Sequence, residues 1–133
     1  MSQSLYAVLP IVAILLFIGV TLILLARPTS GQGGGWLFPT TFSAAFLGWS
    51  LYTVGREGPL GFWPNHTANA WGNQVWFDLL LAIGTAWALL LPRARAVGMR
   101  PLPWLVLIAC SGSIGLLAMV ARCLILESKR TQS

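Results

Sequence analysis

Residues 5–26 read LYAVLPIVAILLFIGVTLILLA, twenty-two positions without a charged side chain, closed by Arg27-Pro28. A helix of about 20 apolar residues crosses the hydrocarbon core of a bilayer, about 30 Å thick. Met1-Ser2-Gln3-Ser4 brings no side-chain charge ahead of the run, and the run is longer than the apolar stretch of a cleaved leader. It is therefore read as a retained membrane helix. Pro10 sits near its start, where a proline costs a helix least.

The composition agrees with that reading. Of 133 residues, 56% are hydrophobic and 8% are charged, and the mean hydropathy is +0.76. A soluble domain carries roughly 25% charged residues, so this chain lacks the charge to cover a water-facing surface. Disorder is excluded too, because it needs low hydrophobicity and high charge. The formal net charge is +5. Arg27, Arg56, Arg93, Lys129 and Arg130 fall at the ends of apolar runs or just past them. No basic stripe alternates with exposed aromatics, so nucleic acid is not an expected partner. Contact with lipid headgroups and the setting of topology account for the cations.

Three further apolar runs follow, at residues 36–55, 71–91 and 104–126. The linker over 29–35 is Thr-Ser-Gly-Gln-Gly-Gly-Gly, a flexible composition. It is not a phosphate loop, since Trp36-Leu37 stands where Lys-Ser/Thr would be required. Residues 56–70 hold two prolines and two glycines and read as an interfacial loop, with Phe62, Trp63, His66 and then Trp71 at the membrane surface. The third run stops at Pro92-Arg93, and the short basic turn that follows makes runs three and four antiparallel neighbours. The expected fold is an all-α integral membrane protein. It is a single membrane domain over 1–133, a four-transmembrane-helix bundle with short loops. Four crossings put both termini on one side. The 93–100 loop, with Arg93, Arg95 and Arg100, is then assigned to the cytoplasm.

One constellation carries chemistry. Asp78 is the only acid inside an apolar run, and a carboxylate there needs a partner. Asp78, Ala82, Thr85 and Leu89 lie on one helical stripe, and Arg122, Ala118, Gly115 and Ser111 on another. Laid antiparallel, these stripes bring Asp78 to Arg122, Ala82 to Ala118 and Thr85 to Gly115, with small residues allowing close approach. An interhelical Asp78–Arg122 pair is expected, with Tyr52 and Trp76 completing a half-buried polar pocket. The plainer role of such a pair is to fix register; the sharper role is to handle a proton or a ligand.

The remaining chemistry is sparse. His66 is the lone histidine, and Asn65, Thr67 and Asn69 around it favour a hydrogen-bonding role over metal ligation. Cys110 and Cys123, thirteen residues apart, would stand about 20 Å apart on one helix, too far for a disulfide. No metal-ligand cluster, nucleophile–base set or paired carboxylates stand out, and no catalytic residue or cofactor is expected. Seven tryptophans are present. Trp36, Trp63, Trp71 and Trp104 suit an aromatic belt, while Trp49 and Trp87 are read as lipid-facing bulk, with the lining of a pocket for a flat pigment or quinone as the alternative.

Ala68-Asn69-Ala70, Phe77-Asp78-Leu79-Leu80 and the basic turn from Arg93 through Arg95 to Arg100 carry a resemblance over residues 68–130. This stretch resembles an uncharacterised bacterial family of small polytopic inner-membrane proteins. The resemblance implies a bacterial inner-membrane protein of about three spans, with an aspartate early in a helix, and no activity. The expected function is a non-enzymatic accessory or scaffold subunit, packed on other membrane subunits or on itself. The alternative is a binder or carrier of a small lipophilic molecule or a proton.

Overall fold

The computed structural model describes residues 3–26 and 35–131, and every regular element among them is helical. The chain divides into two compact units, Met1–Gln32 and Gly33–Ser133. The first consists of helix α1 (Gln3–Ala26), and none of its stretch Tyr6–Ile23 is buried. Arg27 and most of the glycine linker lie outside the described residues.

The second unit holds five helices: α2 (Leu37–Glu57), α3 (Phe62–Thr67), α4 (Ala70–Ala96), α5 (Pro101–Ser111) and α6 (Ser113–Thr131). Of all six, α1 and α4 are long and apolar enough to cross a membrane. The run over 36–55 folds as the helix α2, which is not one of those two. The loop over 56–70 contains the short helix α3. The third run extends past Pro92, which sits inside α4 rather than ending it.

Local chemistry explains the limits of α4. Asn69 is extended and its side chain accepts the Gly72 N–H at 2.9 Å, an N-cap. At the other end Gly98 takes φ 80°. Its N–H donates to the Arg95 carbonyl, and the Met99 N–H donates to the Ala94 carbonyl. This is a Schellman turn, completed by apolar contact between its flanks. Ala94 and Met99 are both buried in the same core cluster. Pro101 then starts α5 at a position where its missing N–H costs nothing.

The fourth run departs from expectation. It is not one helix over 104–126. Gly112 adopts φ 58°, ψ −125° and separates α5 from α6. A side chain is strained at such a φ, whereas glycine is not. The chain reverses there and α6 packs back on α5. A Cβ at Gly115 would stand 2.9 Å from the Ile108 nitrogen and 2.8 Å from Ser111 Oγ, so this crossing depends on a bare backbone.

The reversal sets the direction of α6. Arg93 pairs with Glu127, and Arg130 donates to the Ala96 carbonyl, both ties joining residues 34 apart. The ends of α4 and α6 therefore lie together and the two helices run parallel. α6 is the central element, packed against α2, α4 and α5. Its buried residues are Gly115, Met119, Ala121 and Cys123. Leu90, Ala94, Met99 and Ile108 join Met119 and Cys123 in the core, with Trp87 and Trp104 against it. Ser43 of α2 donates to the Ile114 carbonyl at 3.0 Å, fixing α2 to the start of α6.

Gly112→Val should lower thermal stability in detergent by about 1–3 kcal/mol through backbone strain. Gly115→Ala should cost about 1–3 kcal/mol through overpacking. Gly84→Ala, where a Cβ meets nothing within 4 Å, should be neutral or mildly stabilising. Equal melting temperatures for all three variants would contradict this account of the hairpin.

Candidate functional site

Two polar assemblies mark opposite ends of the second unit. The first lies where α3 folds onto the start of α4. His66 Nδ1 stands 2.7 Å from the Phe62 carbonyl. A carbonyl only accepts, so this nitrogen carries the proton. The His66 ring meets Trp76 edge-on at 5.1 Å, and Phe62 stacks on Trp76 at 5.7 Å. Asn73 Nδ2 donates to the His66 carbonyl at 2.9 Å, closing the turn from the α4 side. A Cβ at Gly72 would collide with the Asn65 carbonyl oxygen, so glycine permits the approach of the two helices. Trp63 and Trp71 are exposed on this turn.

A shallow open groove of about 230 Å³ runs along α2 beside this turn, with Phe46, Trp49, Thr53, Pro59 and Phe62 in its walls. Trp87 packs on the core cluster instead. The two tryptophans weighed for a pigment or quinone pocket therefore stand in different surroundings.

The second assembly ties α4 to α6. Arg93 donates from Nε to Glu127 Oε1 at 3.0 Å and from Nη2 to Oε2 at 2.7 Å, a two-pronged ion pair. Cys123 Sγ lies 3.6 Å from Glu127 Oε1. The hydrogen bonds from Arg93 hold the Glu127 carboxyl below its ordinary value, outweighing the partial burial that works the other way.

The expected Asp78–Arg122 pair does not form. Asp78 and Arg122 are both exposed, and the ion pair among the described residues is Arg93–Glu127. The cause is the direction of α6. With a register of 34, Arg122 is level with position 88 of α4, about 15 Å along the helix from Asp78. The small-residue stripes separate for the same reason. Ala82 and Thr85 face outward on α4. Gly115 is buried and Ser111 and Ala118 are half-buried, with Gly115 and Ser111 meeting at the crossing of α5 and α6. Tyr52 stays on α2 with its ring 5.5 Å from Trp49, and Trp76 belongs to the Phe62–His66 cluster.

Sequence reasoning missed Glu127 as a partner. The available signal was spacing: Cys123, Glu127 and Arg130 follow i, i+4, i+7 on one face of α6. Among the described residues, no group of three or more His, Cys, Asp and Glu could hold a metal ion. No family model, curated protein or solved structure matches the chain.

The lowered Glu127 value makes the clamp pH-dependent with a definite sign. A depressed carboxylate stabilises the fold above the unfolded value, about 4.3, and that contribution is lost as pH falls through the folded value. Wild type should melt above Glu127→Gln at neutral pH, by less than about 1 kcal/mol for so exposed a pair, and the gap should close in acid. A gap that widened in acid would contradict the assignment. Gly72→Ala should separate α3 from α4 and change the Trp76 fluorescence environment, at a cost of about 1–3 kcal/mol. An unchanged emission spectrum would argue against the close approach.

Proposed function

We propose that this chain is a small multi-pass membrane protein acting as a non-enzymatic structural subunit, packed against other membrane subunits or further copies of itself. The observation that supports this reading most is the outward apolar surface of its long helices. On α4, Val75, Phe77, Leu80, Leu81 and Leu89 are all at least half exposed. Apolar surface exposed to this extent is costly in water and calls for lipid or another helix.

Ala82 and Thr85 are also exposed on α4, and small residues let membrane helices approach closely. Asp78 is exposed on the same helical stripe and offers a partner a charge to meet. In this reading α1 and α4 cross the bilayer and α2 supplies a further crossing. The bacterial inner membrane is the location that the family resemblance implies, with the 93–100 loop in the cytoplasm.

The groove beside Trp49 and Phe62 favours one second reading, the holding of a small lipophilic molecule such as a quinone. It requires no Asp–Arg pair.

Gentle extraction of the native protein followed by mass spectrometry of the intact complex separates these readings. The chain should resist alkaline carbonate and leave the membrane with protein neighbours or with copies of itself. Asp78→Asn should lower the yield of that assembly. A lone chain carrying a lipophile would support the second reading, and release by carbonate would contradict both.

A further inference from the structure

The reversal at Gly112 gathers charge. The ends of α4 and α6 lie together, so Arg93, Arg95, Arg100, Lys129 and Arg130 share one end of the second unit. Arg122 lies two turns before Lys129 on the same face of α6 and is exposed. Five of the eight Lys and Arg residues thus cluster against a single acid, Glu127, with Arg122 about 10 Å deeper along α6. The opposite end, around the turn between α2 and α4, holds Arg56 with Glu57 and, in α4, Asp78. A straight fourth span would have divided these cations between the two sides of the membrane.

The depth of the hairpin fits the same geometry. Gly112 meets Ile83 of α4, since a Cβ there would stand 3.7 Å from Ile83 Cδ1. From Ile83 to Ala96 is about 20 Å of helix. The tip of the α5–α6 hairpin therefore lies about two-thirds of the way through a 30 Å core when the basic end sits at its edge. Helical hairpins that enter and leave by one side are tolerated where they pack on protein, and α6 is covered by α2, α4 and α5.

We infer that α5 and α6 form a re-entrant hairpin, and that the basic end it completes docks on the anionic phospholipid headgroups of the cytoplasmic leaflet. This rests on the membrane reading above. Three observations carry it. Arg95, Arg100 and Lys129 are exposed, and among the described residues none of them is held in an ion pair. They flank the end of an apolar helix, where headgroup phosphates lie. Arg93 and Arg130, by contrast, bind α6 to α4 and hold the platform together. The positive-inside tendency then orients this end, and the described end of α6 with it, toward the cytoplasm.

The test uses the full chain in a neutral detergent, titrated with phosphatidylglycerol or phosphatidylcholine and read by native mass spectrometry. Phosphatidylglycerol should bind and phosphatidylcholine should not. The triple variant Arg95→Gln, Arg100→Gln, Lys129→Gln should bind about fivefold more weakly for each cation removed. Arg56→Gln should leave binding unchanged. Should the triple variant fail to fold, the unmodified chain still decides: salt near 1 M, where screening acts within about 3 Å, should strip the anionic lipid. Equal binding of both lipids, salt-insensitive binding, or displacement by equimolar inorganic phosphate would overturn the proposal. A chain that stays monodisperse in water without detergent would instead sink the membrane reading beneath it.

Discussion

A single left-handed glycine governs the second unit. Gly112, at φ 58°, turns the chain back where apolar character alone would carry it onward. Everything at the far end follows from that turn. It makes α6 parallel to α4 and sets Glu127 opposite Arg93. It also places Arg130 against the last turn of α4, at the Ala96 carbonyl. Removing the reversal would dissolve the ion pair, the core around Met119 and Cys123, and the grouping of the cations together.

The packing is correspondingly economical. The buried core cluster has six members, drawn from α4, the turn after it, α5 and α6. In a bilayer, helix association draws on close van der Waals contact and hydrogen bonds rather than on escape from water. Gly115 beneath Ile108, Gly72 beneath Asn65 and Ser43 at Ile114 are contacts of that kind. Each brings backbone near backbone. Many of the large apolar side chains face outward.

The helical class was legible in the apolar runs and the scarcity of charge. The edges of the turn over 56–70 were legible in its prolines and glycines, and the aromatic positions there were read as interfacial. The reversal at Gly112 was signalled, since Ser111-Gly112-Ser113 is a turn-like triplet inside an apolar run. The same small residues also suit close helix contact, and length favoured a span. Choosing the span inverted the direction of α6, and the Asp78–Arg122 pairing fell with it. Periodicity assigns residues to a face of a helix, but it does not say which neighbour that face meets. Pro92 misled in a smaller way, because the helix absorbs the lost hydrogen bond and runs on to Ala96.

The central claim is that α4 and α6 end side by side. Spin labels at Arg95 and Lys129, in a chain with Cys110 and Cys123 replaced by serine, measure it directly in reconstituted bilayers. Backbones that end together should give a separation on the order of the 10 Å between packed helices, plus the reach of the labels. A separation of about 30 Å or more, the thickness of the hydrocarbon core, would mean that the fourth run crosses straight through and would contradict the account.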